Sequence, residues 1–340
     1  MDAIRSYLNE TLQKEKIAGM AVAITDRKQI LFAEGFGVES IERPEVKVTE
    51  NSLFRIASIT KVITGLTILS LVEEGKLSLT EPVKKVLPWL SLRNKETEEQ
   101  VTLGHLLSHT AGLPAEYTPD GPREESALEP SLKAGLKNLD LLFPLGEGYC
   151  YSNWGIRLVS LVAETVTGQK FTQLAHQRVI DPLGMDMTTF DLHIAATYPI
   201  CLAHTEENGE YKVFHRIQEN AARQAAGGLF SNATDLCRLA RCLLNEGVGD
   251  GGTRIVQKAS VDEMKILRGR PEEFDGYGIT LFQHTWGDKQ VFFHPGSAPP
   301  YATSIVIHPD SGLGVITLMN TQRDDQRYAI PETILNMLTD

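Results

Sequence analysis

The stretch Phe54-Arg55-Ile56-Ala57-Ser58-Ile59-Thr60-Lys61-Val62-Ile63 decides how this 340-residue chain is read. A strand-like run turns there into an apolar-faced helix, with Val62, Ile63, Leu66, Leu69 and Val72 spaced to face inward and Gly75 placed to stop it. Residues three apart on a helix are neighbours, so Ser58 and Lys61 share one face. A buried amine beside a serine hydroxyl is able to act as its base, and the free N–H groups at a helix start favour a developing negative charge. The pair taken alone also fits a plainer description, an N-cap serine followed by a solvated lysine. Partners elsewhere in the chain decide between the two.

Working outward, residues 2–16 carry Ile4, Leu8 and Leu12 at helical spacing, and residues 19–24 and 30–35 form strand-like runs around a polar turn, which predicts a hairpin. From Val101 to about Gly184 the patterns are helical and broken by Gly and Pro, with an irregular Glu- and Pro-rich stretch over 114–130. A long helix follows Asn153 and ends at Gly168; another starts near Asn232, with Asn232, Thr234 or Asp235 as its cap. The segment 193–224 has no assignable pattern. Residues 278–282, 290–294, 302–307 and 314–319 read as strands, and 330–338 as a closing helix. At this length two lobes are expected rather than one core. Strands at both ends with helices between predict an α/β (α+β) fold in which a mixed sheet is built from both termini with flanking helices, and an all-helical lobe is inserted. The sheet lobe takes 1–60 and 225–340, the helical lobe 61–224, and the site lies in the groove between them.

The net charge is −11, with Lys and Arg dispersed rather than striped, which argues against nucleic acid or an anionic membrane surface as a partner. No apolar run approaches the roughly 18–20 residues needed to span a bilayer. Residues 1–10 have no basic n-region, apolar core or small-residue cleavage site, so a cytoplasmic protein is expected. Cys150, Cys201, Cys237 and Cys242 have neither metal-ligand spacing nor a dense framework, and are read as reduced and mostly buried.

Two further constellations carry chemistry. In Tyr149-Cys150-Tyr151-Ser152-Asn153-Trp154, Tyr151 and Asn153 lie two apart on a loop, a phenol for proton transfer and a carboxamide for substrate hydrogen bonding. Tyr-x-Asn by itself says little, since it also occurs at Tyr7 and Asn9. In Phe293-His294-Pro295-Gly296-Ser297, a glycine at the end of a β run lets a substrate approach the backbone, and a neighbouring N–H supplies half of an oxyanion hole. The plain alternative is a turn with a half-exposed histidine.

In order and spacing, Ser58-x-x-Lys61, Tyr151-x-Asn153 and His294-x-Gly296 resemble the serine penicillin-recognising enzymes, most closely the class C β-lactamase-like group that includes esterases, D-amino-acid peptidases and acyltransferases. The stretches Leu106-Leu107-Ser108-His109-Thr110-Ala111-Gly112-Leu113-Pro114 and Ala226-Gly227-Gly228-Leu229-Phe230-Ser231 are similar to that group as well. The resemblance covers nearly the whole chain and implies a β-lactamase/transpeptidase-like fold with a mainly antiparallel sheet. It further implies Ser58 as nucleophile, Lys61 and Tyr151 sharing proton transfer, the N–H groups of Ser58 and Ser297 as the oxyanion hole, and Asn153 orienting the acyl side of the substrate. No metal or organic cofactor is implied; the partner is a small-molecule or peptide-like acyl substrate.

This sequence departs from the lactamases at His294, where they carry the lysine of Lys-Thr-Gly, and at Pro295 in place of the threonine. A histidine is largely neutral at pH 7, so carboxylate recognition is expected to be weaker, and esterase, amidase or acyl-transfer chemistry is favoured over β-lactamase or D-Ala carboxypeptidase activity. His294 is alternatively a hydrogen-bond partner that tunes Tyr151. The expected activity is a serine hydrolase working through an acyl-enzyme on Ser58; the alternatives are an acyltransferase or cyclising thioesterase-type enzyme of a biosynthetic pathway, and a silent sensor or binding protein.

Three other patterns are set aside. His105 and His109 stand at i, i+4 like a zinc pair, but Leu106 occupies the place of the required Glu, so both are assigned to the core. The run Gly247-Val248-Gly249-Asp250-Gly251-Gly252 follows a helix and lacks the ending of a phosphate loop. Glu96, Glu98 and Glu99 read as a solvated charge cluster.

Overall fold

The computed structural model describes residues 1–116, 120–208, 210–217 and 219–339. Tyr117, Thr118 and Pro119 of the irregular 114–130 stretch and Gly209 and Gln218 of the unassigned segment therefore lie outside the described residues. In chain order the elements that position the site are α1 (Asp2–Lys14), β1 (Gly19–Thr25), β2 (Ile30–Gly37), α2 (Thr60–Glu73), α3 (Asn153–Thr167), α4 (Ala233–Leu244), β3 (Gly276–Tyr277), β4 (Phe282–Trp286), β5 (Lys289–Ala298), β6 (Tyr301–His308), β7 (Leu313–Met319) and α5 (Gln326–Thr339).

Among the described residues, seven strands form one sheet in the order β2-β1-β7-β6-β5-β4-β3, with every neighbouring pair antiparallel. Strands from the two ends of the chain meet one strand in from its β2 edge, where β1 pairs with β7 in the register Val22↔Thr317. All of β1 is buried, which is why its sequence runs apolar from Met20 to Ile24 instead of alternating. Successive side chains face opposite ways. Ala21, Ala23, Ile305, Ile307, Ile316 and Leu318 join a core shared with α2, α3 and α4, whereas Met20, Val22, Ile24, Val315 and Met319 pack with Ile4 and Leu8 of α1 and Ile330 and Ile334 of α5. Each fully buried Val, Leu, Ile or Met side chain among them contributes about 1.5–3 kcal/mol.

Residues 278–281 are a turn, not the start of a strand. Thr280 takes φ +54° and Gly278 N–H donates to Leu281 O at 2.9 Å, so the chain turns there and β4 begins at Phe282. The closing helix starts at Gln326, ahead of the expected position. Between 193 and 224 the chain forms a hairpin, His204–Glu207 with Glu210–Val213, and a 3-10 turn at Ala221–Arg223. Of the three candidate caps of α4 the structure selects Asn232, whose side chain accepts from Asp235 N–H at 2.7 Å. The glutamate cluster is not uniformly solvated. Glu98 is buried between Lys84 and Lys95 and also accepts the Leu92 N–H at 2.8 Å, and these bonds hold its carboxyl down at about 2. The cysteines are free thiols, Cys150 half-buried and the others buried. Among the described residues no helix is long and apolar enough to cross a membrane.

Candidate active site

Ser58 lies in a 3-10 turn, Ala57–Ile59, between the short strand Phe54–Arg55 and α2, so it is not the helix cap. Ala57 before it has φ +50°, a left-handed conformation that an alanine keeps only when its surroundings enforce it. They do so from three sides: Ile56 N–H donates to Leu229 O at 3.0 Å, Ile56 O accepts from Thr303 Oγ1 at 3.0 Å, and Ala57 O accepts from Thr60 Oγ1 at 2.6 Å. The turn thereby presents the half-buried Ser58 side chain to the groove.

Gly296 is the counterpart of this turn on β5. A Cβ there would lie 2.1 Å from Thr303 Oγ1 and 2.3 Å from Ile56 O, so only glycine lets β5 close on the serine turn. Thr303 is its register partner on β6 and reaches past it to the Ile56 carbonyl. On its other side β5 is paired with β4 only as far as Phe293, which leaves the 294–298 edge open, and Ser297 lines the groove.

Lys61 is fully buried in the first turn of α2. Its Nζ is 3.1 Å from Ser58 Oγ, 2.8 Å from Asn153 Oδ1 and 2.6 Å from Ala226 O. Burial, then the nearby Arg223 guanidinium, push its pKa well below the ordinary lysine value, while Glu116 works in the opposite sense. Asn153 opens α3, and its Nδ2 donates to Glu116 O at 2.6 Å. Both ends of the amide are thus engaged by the protein, so Asn153 holds Lys61 in addition to lining the groove.

Tyr151 faces the same point. Lys61 Nζ lies 4.8 Å from its ring centroid, and its buried Oη makes no fully formed hydrogen bond among the described residues, although the adjacent Ser58 hydroxyl and Arg223 favour the ionised form. Burial outweighs them and pushes the phenol pKa upward, so Tyr151 holds its proton.

His294 is placed differently from the expectation of a groove residue or a partner of Tyr151. It is fully buried under the groove, with Nε2 3.3 Å from Tyr277 Oη and Nδ1 2.7 Å from Pro295 O. Its ring centroid stands 6.2 Å from that of Tyr151. Burial and the neighbouring Lys61 lower its pKa to about 3, so it offers no cation to a substrate. Strand alternation alone does not say which face of β5 is covered; here Tyr277 and Phe282 cover it.

The groove has a volume of about 960 Å³ and its walls include Ser58, Tyr151, Asn153 and Ser297, an aromatic bank of Tyr149, Phe274, Phe282 and Tyr328, and the guanidinium side chains of Arg223, Arg270 and Arg327. Glu116, Glu272 and Glu273 line the same groove, so the three guanidiniums, which come from outside the three sequence motifs, are matched by three carboxylates. Arg223 precedes the Ala226-Gly227-Gly228 block and Arg327 opens α5. The zinc-like pair is dispersed: His105 Nδ1 caps its own helix at Thr102, and His109 accepts the Ser152 N–H.

The chain is matched over residues 4–335 by the family model described as Beta-lactamase. It is similar to Protein flp of Staphylococcus aureus strain MW2, with 25% identity over 99% of this chain, and it spans 62–69% of the length of the Flp proteins from strains MRSA252 and MW2. Among solved structures it is similar to the octameric penicillin-binding protein homologue from Pyrococcus abyssi, with TM-score 0.86, 25% identity, and 99% of this chain against 77% of that one. The class C β-lactamase from Rhodobacter sphaeroides shares the fold, with TM-score 0.82, 20% identity and full coverage of both chains. With its antiparallel sheet, its serine turn and a family match over nearly its whole length, the chain belongs to the Beta-lactamase family.

Proposed function

We propose that the protein is a serine hydrolase that forms an acyl-enzyme on Ser58, acting as an esterase or amidase on a small acyl or peptide-like substrate. The observation that carries this reading is the set of three oxygens around Lys61 Nζ. A neutral amine has two N–H bonds and one lone pair. Asn153 Oδ1 and Ala226 O accept the two N–H bonds, which leaves the lone pair for the Ser58 O–H. Burial supports that neutral state.

In this reading Lys61 takes the proton as Ser58 Oγ bonds to the substrate carbonyl carbon. The N–H groups of Ser58 and Ser297 receive the oxyanion. Tyr151, kept protonated by burial, gives its proton to the leaving alcohol or amine, and the Lys61 ammonium returns a proton to the phenolate, so that both groups are neutral again while Ser58 Oγ carries the acyl group. Water then attacks the ester carbonyl, with the same groups acting in reverse. The aromatic bank suits an apolar portion of the substrate, and the mixed arginine and glutamate lining suits a polar one. The groove is larger than a single acyl group needs, which supports transfer to an alcohol or amine as the second reading.

A serine-directed fluorophosphonate, followed by mass spectrometry with a Ser58→Ala control, is the direct test. Labelling at Ser58 that disappears in the variant is expected; an unlabelled Ser58 would leave a binding or sensor protein. A small ester, a chromogenic cephalosporin and a D-amino-acid amide run in parallel rank the substrates, and added nucleophile separates hydrolysis from transfer.

A further inference from the structure

The Tyr149–Ser152 segment has no regular structure, yet the proposed chemistry needs the Tyr151 hydroxyl in one place. The Ser58 hydroxyl stands beside it but makes no fully formed hydrogen bond to it, so that contact alone does not fix its place. One residue from another part of the chain grips the segment on both sides of Tyr151. Cys150 N–H donates to the backbone carbonyl of His109 at 3.0 Å, and Ser152 N–H donates to Nδ1 of the same histidine at 3.2 Å. Between these two anchors the His109 ring lies against the Tyr151 ring, with centroids 4.4 Å apart.

This geometry needs an unusual backbone. His109 takes φ +60°, which turns its carbonyl and its ring toward the same segment, and the residue is 2% exposed, its ring between Tyr151 and Tyr277. Because Nδ1 accepts, the ring proton sits on Nε2. Burial first, then Lys61 and His294, push the His109 pKa well down, so the acceptor persists across the neutral range.

We infer that His109 is the positioning residue of the site: it is the template on which the Tyr151 loop is laid, and it holds the phenol at the reaction centre without touching substrate. The inference rests on the proposed proton-transfer role of Tyr151. It gives a function to a histidine whose spacing alone marks it only as a core residue.

The test compares His109→Ala, His109→Asn and His109→Gln with Tyr151→Phe on an ester substrate, with thermal unfolding run on each preparation. Asparagine tolerates a left-handed backbone and carries an acceptor where Nδ1 stands; glutamine carries its amide further out. A misplaced catalytic group costs about 100-fold in rate, so His109→Ala and His109→Gln are expected to lose about 30- to 100-fold in kcat with KM within about threefold, while His109→Asn recovers to within about fivefold of the parent. A kcat for His109→Ala within about twofold of the parent overturns the inference. So does a His109→Asn enzyme no better than His109→Gln when the two unfold at the same temperature, because a purely structural histidine would follow stability and not the acceptor. If Tyr151→Phe keeps full kcat, the role of Tyr151 is lost and this inference with it. If Tyr151→Phe falls and the His109 variants do not, the hydrolase reading stands and only the positioning role is lost.

Discussion

Lys61 Nζ and Asn153 Oδ1 are 2.8 Å apart, a bond across 92 residues of sequence that ties the helix bearing the lysine to the helix behind the tyrosine loop. The Asn153 Nδ2 bond to Glu116 O fixes which way the amide points. The lysine therefore meets a neutral acceptor and not a carboxylate, which leaves its depressed pKa intact. Replacing Asn153 with Asp would place a negative charge on the ammonium form. The active form is deprotonated, so activity rises with pH through the Lys61 pKa, and raising that pKa moves the acid limb of the kcat/KM profile to higher pH. Asn153→Asp is expected to lose activity at pH 7 and regain it in alkali; a profile unchanged from the parent would remove Lys61 as the base.

Arg223 and Glu116 act on Lys61 in opposite senses. Arg223→Gln takes away a cation that disfavours the ammonium form, so its acid limb is expected at higher pH than in the parent. Glu116→Gln is expected to move the limb the other way. The two pH profiles, measured on a neutral ester so that substrate binding is not confounded, check the signs.

Gly296→Ala forces a choice between the Thr303 hydroxyl and the Ile56 carbonyl, since the new methyl meets both. The strand edge has to withdraw from the serine turn, and the two proposed oxyanion donors separate. Loss of such a donor costs about 100- to 1,000-fold in kcat. Affinity for a boronate, which mimics the tetrahedral adduct, should fall in parallel, while Ser58 labelling persists at a reduced rate. Thr303→Val, which leaves the Ile56 carbonyl with only the longer bond from Ile59 N–H at 3.3 Å, is expected to fall in the same direction by less, and Thr303→Ser to stay near the parent.

Glu98 gives a stability prediction away from the site. Its folded pKa of about 2 lies below the ordinary 4.5, so it contributes stability above the ordinary value and loses it as pH falls from about 4.5 through about 2. Glu98→Gln is expected to cost about 1.5–3 kcal/mol at pH 7, the range for hydrogen bonds to charged groups, and the difference should close as the pH drops. Urea unfolding at several pH values measures it; a constant difference would mean that the carboxylate charge is not what holds the Lys84–Lys95 corner.

By itself the sequence determined the features that arise from local spacing and burial pattern. Helical spacing put Ser58 beside Lys61, and apolar runs marked most of the sheet strands. These are short-range consequences of backbone geometry, so a single sequence carries them. Only the tertiary structure decided that His294 lies beneath the groove, that the Asn153 amide serves the lysine, that arginines from distant segments reach the site, and that Glu98 is enclosed by lysines. Each depends on which face of an element is covered, and that is settled by contacts such as Lys61 to Ala226, 165 residues apart, which no local periodicity encodes. His109 belongs to both: its motif was visible in the chain, but its hold on Tyr151 exists only once the two loops are folded together.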